Sequence, residues 1–230
     1  MTSQIHRWVW ISIVALTACE GGDVGGNAAP KAEEADVAKA PMAPGPAPTA
    51  EPAAKTVYFD VHELGAGKAT AKVAAEEHAK AMAATDKTVA FADYWVDEKN
   101  GRITHVATGP SLAAVTAAHE AAHGKTPGKV MELLEAPDRR QPAGGKKLFL
   151  DAHHNPPGTV IKVEDIIKGH ERELTIQGKH NVDFVSWWLE PSTGTIMCLA
   201  ETDDPKGAVA SHQETDGDLA EEMAEVTQGP

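Results

Sequence analysis

The sequence predicts an α+β fold of two tandem ferredoxin-like βαββαβ repeats, paired as a pseudo-dimeric α+β barrel. Three observations carry this. First, the folded part is written twice. Val57-Tyr58-Phe59-Asp60-Val61-His62 returns as Leu148-Phe149-Leu150-Asp151-Ala152-His153, and further matches follow in order: His78 with His170, Trp95 with Trp188, Gly101 with Gly194, His119 with His212, Gly124 with Gly217. The offset is 91 residues at His62/His153, 92 at His78/His170 and 93 at Trp95/Trp188, so the copies differ by two single-residue insertions. Second, each copy reads strand, helix, strand, strand, helix, strand, which is the ferredoxin-like order. Third, that order covers one sheet face with helices and leaves the other open, and two tandem copies can lay their open faces together.

Each element has its own signal. In the first copy, residues 57–62 alternate as a strand and 70–85 form a helix with Thr70 as N-cap. Strands at 89–96 and 102–108 flank a turn at 97–101. Ser111 caps a second helix that runs to His123 and stops at Gly124, a natural residue just past a helix end. Residues 129–134 complete the copy. The second copy repeats the order at 147–153, 163–177, 182–189, 195–201, 205–216 and 222–226. Along the first strand, Val57, Phe59 and Val61 are expected to face the helices, with Tyr58, Asp60 and His62 on the open face. The twin strand sets Leu148, Leu150 and Ala152 against Phe149, Asp151 and His153. Trp95, Trp187 and Trp188 read as residues of the core or of the inter-repeat seam.

The chain of 230 residues divides into a lipoprotein signal peptide with lipidated Cys (1–19), a disordered Ala/Pro-rich tether (20–55), repeat 1 (56–135), a linker (136–146) and repeat 2 (147–226). Arg7 supplies the positive start of the signal, and the apolar run after it is too short to span a bilayer comfortably. It ends at Leu16-Thr17-Ala18-Cys19, which resembles a bacterial lipobox. That implies a lipidated Cys19, a cell-envelope location and a membrane anchor, in the outer membrane if the organism is Gram-negative, because Glu20 rather than Asp follows. The tether lacks the apolar side chains needed to offset ordering entropy. The formal net charge of −13 argues against nucleic acid, whose recognition needs Lys and Arg to displace counterions. Apart from Cys19 the one cysteine is Cys198, which reads as a buried small hydrophobe or a soft ligand, and no intramolecular disulfide is expected.

The chemistry lies in the histidines. There are 11, and those outside the signal peptide fall largely at matched places. His62 and His153 end the first strand of each copy. His78 and His170 sit in the first helix, as ligands or as satisfied core residues. His119 and His212 sit in the second helix, His123 aligns with Asp216, His105 with Cys198, and Glu63 with His154. The pairs largely keep metal-ligating chemistry even where the residue changes. The topology brings the end of the first strand beside the end of the second helix. His62 and Glu63 are therefore expected near His119 and His123, and His153 and His154 near His212 and Asp216. His119 and His123 are four apart and share a helix face. Asp60 and Asp151 are placed to orient imidazoles from behind or to sit as polar residues at a seam. The candidate ligands are thus His62, His119, His123, His153, His212, Asp216, His78 and His170, with Glu63, His105, His154 and Cys198 as additional ones. His119-Glu120-Ala121-Ala122-His123 also fits H-E-x-x-H, the helix of zinc peptidases. Its twin, His212-Gln213-Glu214-Thr215-Asp216, lacks the glutamate after the first His, so the residues read as plain ligands. No Gly-rich phosphate loop and no Ser/His/Asp arrangement stands out.

Taken in order, these motifs resemble a small bacterial ferredoxin-like domain family with a nickel-binding, dimeric member. The resemblance covers 56–135 and 146–226. It rests on Asp60-Val61-His62 and Asp151-Ala152-His153, on Glu77-His78 and Gly169-His170, on Trp95-Val96-Asp97 and Trp188-Leu189-Glu190, on Cys198-Leu199-Ala200-Glu201, and on the helix histidine before glycine at 119–124 and 212–217. It implies a dimeric α+β barrel and Ni²⁺ binding through histidines. His105 stands where the family has a Cys, and Asp216 follows His212; both departures put equal binding by the two copies in question. The function expected is that of a membrane-anchored module binding a divalent transition metal, Ni²⁺ or Zn²⁺, as a monomeric pseudo-dimer or higher oligomer. The alternatives are a small-molecule-binding or envelope interaction domain and, less favoured, an enzyme such as a cofactor-free oxygenase or a peptidase.

Overall fold

The computed structural model describes residues 54–84, 88–125, 127–215, 220 and 222–229. Cys19, Asp216 and nearly all of the tether fall outside these residues. Repeat 1 contains β1 (Lys55–Glu63), α1 (Ala71–Ala84), β2 (Ala90–Asp97), β3 (Arg102–Thr108), α2 (Leu112–His123) and β4 (Lys129–Glu135). Repeat 2 contains β5 (Lys147–His153), α3 (Val163–Ile176), β6 (Val182–Glu190), β7 (Thr195–Thr202), α4 (Pro205–Thr215) and β8 (Glu222–Gln228). The periodicity anticipated every one of these to within a few residues. It did not anticipate the short 3₁₀ turn Gln177–His180, which ends with Asn181 in the left-handed region at φ 54°.

The eight strands close into an antiparallel barrel in the order β1-β3-β2-β8-β5-β7-β6-β4, with β4 pairing back to β1. Two short seams join the repeats. Trp95 pairs with Gln228 and Val96 with Thr227 across β2/β8, while Leu134 pairs with Leu189 and Glu135 with Trp188 across β4/β6. The seams are equivalent, so the repeats are related by a pseudo-twofold along the barrel axis. The copies also share an irregularity: β2 slips its register between Phe91 and Asp93, and β6 between Phe184 and Ser186.

One orientation differs from the sequence expectation. Val57, Phe59 and Val61 point into the barrel with Leu148, Leu150 and Ala152, whereas Tyr58 packs in the layer under the helices. Asp60 and His62 share that helix-side layer, meeting His119 of α2. Alternation identified two faces but not which layer was the more apolar. The barrel interior takes the wholly aliphatic and aromatic face of these two strands. The Ala-rich α1 and α2 leave room for polar side chains that bond one another. At the centre, Phe59, Trp95 and Trp188 form a cluster with ring centroids 5.1–5.4 Å apart. Trp187 lies on the helix side, against Leu189 and Cys198.

Because Lys55 pairs with Glu135 and Val61 with Lys129, the histidines and the linker lie at opposite ends of the barrel. The linker closes its end. The backbone N–H groups of Ala136 and Arg140 donate to the carbonyls of Trp187 and Val185 at 3.0 and 2.9 Å, the latter being the bulge residue of β6. Arg139 pairs with Asp93 (2.6 Å) and Glu135 (2.9 Å), its guanidinium 5.8 Å from the ring centroids of both Trp95 and Trp188. Glu135 is fully buried; its Oε1 accepts from Arg139 and from the Trp188 indole N–H (3.2 Å), and its Oε2 lies 2.8 Å from the Lys55 ammonium.

Candidate metal centre

Helix α2 is fixed at both ends. The Ser111 hydroxyl accepts from the Ala114 N–H at 3.2 Å, and Gly124, at φ 65°, donates to the Glu120 carbonyl at 2.8 Å. This sets His119 and His123 one turn apart over the end of β1. The rings of His62, His119 and His123 lie 4.5–4.7 Å apart, and one ligating atom from each falls within 4.8 Å of the others. His62 and His119 are 2 % and 1 % exposed.

Two carboxylates hold this group. Asp60 Oδ2 accepts from His119 Nδ1 at 2.6 Å and lies 3.4 Å from His62 Nε2. Glu77 of α1 brings Oε2 to 2.8 Å from His123 Nδ1, out of line for a hydrogen bond, and to 3.9 Å from His62 Nδ1. With Nδ1 held by Asp60, the lone pair of His119 is available on Nε2, which is buried and without a partner. Both nitrogens of His62 and Nε2 of His123 are likewise buried and unpartnered. Leaving such groups unmet costs about 1–3 kcal/mol each, and a cation with Zn–N-type bonds of about 2.0–2.1 Å would meet one on each ring after small side-chain rotations. A cavity of about 170 Å³ between Lys125 and Gly128 reaches His62 and His119 and supplies an entrance.

The electrostatics favour ligation. Burial pushes the Asp60 carboxyl up, but the hydrogen bond from His119 and the nearby His62 imidazole override it and hold the group at about 2, ionised throughout the physiological range. Burial, reinforced by the neighbouring His62 and His119, lowers His123 to about 4. It thus stays neutral, the form that binds metal. Beneath this group lies His105, fully buried, lowered to about 3 by burial and by His62. It forms a second close set with Asp60 and His62, and His78 stacks on it at 5.4 Å. His78 itself touches Tyr94 at 4.8 Å and is not within reach of the three-histidine group.

The second repeat gathers the matched residues differently. One ligating atom each from Asp151, His153, Cys198 and His212 lies within 4.8 Å of the others. However, His212 donates Nε2 to Asp151 (3.1 Å), and Glu173 Oε1 lies 2.6 Å from its Nδ1. Burial opposes its charge, but these two carboxylates raise it to about 10, so it is an imidazolium with no lone pair to give until one contact opens. Glu173 also lies 3.4 Å from His170, which belongs to this helix-side layer. Gly169 stands where repeat 1 has Glu77, and a cavity of about 420 Å³ opens there beside His153, His170, Cys198 and His212.

Glu63 and His154 do not join either group. Each follows a cluster histidine by one residue and so turns to the other side of its strand. Glu63 lies 3.6 Å from Arg102, and His154 lies 3.2 Å from Thr195. Glu120 is exposed on α2, away from the buried histidines, and is not placed as the base of a peptidase. The residues that sequence reasoning passed over are Glu77 and Glu173. Their signal was helical spacing: Glu77 lies between Ala74 and Ala81 on the buried stripe of α1, and Glu173 lies three residues beyond His170.

The chain was compared with known proteins. It matches the family model described as "Nickel responsive protein SCO4226-like" twice, over residues 58–133 and 149–226. The solved structure of SCO4226 from Streptomyces coelicolor A3(2) is 30 % identical, covering 33 % of this chain and 90 % of that one, with a TM-score of 0.30. A mutant chlorite dismutase from Candidatus Nitrospira defluvii is 8 % identical over 76 % of this chain and 91 % of its own, at a TM-score of 0.47. A structure described as a monooxygenase, from Lactobacillus acidophilus NCFM, is 10 % identical over 76 % of this chain and 94 % of its own, at a TM-score of 0.40. No curated protein sequence matches. With both repeats matched over most of their length, the chain belongs to the SCO4226-like nickel-responsive family, carried here as two fused copies.

Proposed function

We propose that this protein binds a divalent transition metal, Ni²⁺ or Zn²⁺, through His62, His119 and His123 of repeat 1. The observation that carries the reading is the convergence of three buried imidazoles with unpartnered nitrogens, backed by Asp60 and Glu77. Imidazole suits both ions, and selectivity between them follows from coordination geometry. The bound ion would neutralise the buried charge of Asp60 and act as a Lewis acid toward any further ligand arriving from the Lys125/Gly128 side. Isothermal calorimetry with Ni²⁺ and Zn²⁺, with elemental analysis of the purified chain, tests this. Affinity no tighter than that of a protein carrying ordinary surface histidines would sink it.

The lipobox resemblance at Leu16-Thr17-Ala18-Cys19 supports a further part of this proposal: a lipid anchor holds the protein at the cell envelope. Among the described residues no helix is long and apolar enough to cross a membrane. Incorporation of labelled palmitate, lost in Cys19→Ser, is the expected result.

A second reading has one observation in its favour. A cavity of about 350 Å³ opens at the histidine end of the barrel interior, lined by Phe59, Trp95, Met131 and Met197 and rimmed by charged side chains. Its volume lies within the range of small-molecule sites. Binding of an apolar fluorescent probe that survives loss of the histidines would favour this use of the barrel.

A further inference from the structure

The unpartnered atoms of the first repeat are more numerous than one ion can use. Asp60 Oδ1, His105 Nδ1 and Nε2, both nitrogens of His62, His119 Nε2 and His123 Nε2 are all buried without a hydrogen-bond partner. They divide by position. His62 Nδ1 faces Glu77, the carboxylate that also approaches His123, whereas His62 Nε2 faces Asp60. His105 is fully buried and pairs across the β1/β3 ladder with Asp60. One ligating atom each from Asp60, His62 and His105 lies within 4.8 Å of the others, as in the outer group.

We propose that repeat 1 holds a second, inner cation, bound by Asp60 Oδ1, His62 Nε2 and His105, so that two transition-metal ions share the His62 ring. This rests on the reading of the outer His62/His119/His123 group as a metal site. Repeat 2 differs at the matched place: Cys198 replaces His105, and its backbone N–H already donates to Asp151 Oδ1 at 3.2 Å. Apolar and aromatic walls surround His105: Phe91 at 5.8 Å, Tyr94 at 5.9 Å and the stacked His78 ring. The inner ion is therefore reached through the outer site and should leave more slowly than the outer one. Filling both nitrogens of His62 leaves no place for its ring proton. Loading the inner ion therefore releases that proton to solvent, and the ring bridges as an imidazolate.

The test uses the full chain crystallised with Ni²⁺ and anomalous diffraction recorded at the nickel edge. The expected result is two peaks in repeat 1, the inner one within bonding distance of His105 and Asp60. In solution, His105→Ala should bind one Ni²⁺ fewer per chain than the parent and keep the outer site, whereas His123→Ala should weaken binding at the outer site. A single peak at the outer group, or unchanged stoichiometry in a folded His105→Ala, overturns the inner site and leaves the outer one standing. No peak at either position overturns both. If His105→Ala does not fold, the diffraction experiment on the unaltered chain still decides.

Discussion

Glu77 and Glu173 reach the histidine layers of the two repeats from helix positions one turn apart. The helices α1 and α3 correspond residue for residue at an offset of 92, so Glu77 matches Gly169 and Glu173 matches Ala81. Each repeat thus keeps one carboxylate on the inner face of this helix, but a turn along. In repeat 1 it meets His123 at the outer edge of the group. In repeat 2 it meets His212 at the centre and locks it.

Glu77→Gln should weaken metal binding by about 10–100-fold, the usual cost of removing a carboxylate that orients a ligand. Calorimetry reads the loss directly. Glu120→Gln, one residue from His119 on the exposed side of α2, should leave affinity unchanged.

Glu173→Gln should destabilise the protein. It leaves the buried His212 with Asp151 alone, and breaking one partner of a buried charged set costs about 3–5 kcal/mol. A lowered urea midpoint, with metal affinity at repeat 1 unchanged, is the expected pair of results.

The repeats should set opposite limits on pH stability. In the fold His123 and His105 titrate at about 4 and about 3, against 6.5 when exposed. The folded chain binds fewer protons than the unfolded one between these values. Their contribution is therefore complete above pH 6.5 and is lost as pH falls toward 4 and 3. Asp60 adds a term in the same direction, present above 3.8 and lost as pH falls through about 2. His212 works the other way: raised from 6.5 to about 10, its contribution is complete below 6.5 and disappears as pH rises through 10. Urea midpoints of metal-free protein should show His105→Leu flattening the acid limb and His212→Gln the alkaline limb.

Arg139→Ala should open the linker end of the barrel. It removes one of two partners of Asp93 (Gln228 remains), one of three partners of buried Glu135, and the cation over both tryptophans. A loss of about 3–5 kcal/mol is expected, with a change in tryptophan fluorescence.

Much of this was legible in the sequence because the chain repeats itself. Strand and helix order, the Ser111 and Gly124 caps, and the meeting of β1 with α2 all followed from spacing. The face assignment did not, because alternation in Val57-Tyr58-Phe59-Asp60 is equally strong on either side. Glu63 and His154 looked like ligands by adjacency, but strand geometry turns neighbours apart. His212 matched His119 in type and place, and only the position of Glu173 distinguishes a clamped imidazolium from a ring with a lone pair to offer.

The contact of Trp95 with Trp188 on the pseudo-twofold has a broader implication. In a homodimer each substitution appears on both sides of such an axis, so a change that suits one wall is forced on the other. Covalent fusion removes that coupling. One wall can retain a dense imidazole nest while its counterpart drifts toward a hollow thiol-bearing recess, with the shared aromatic centre unaltered.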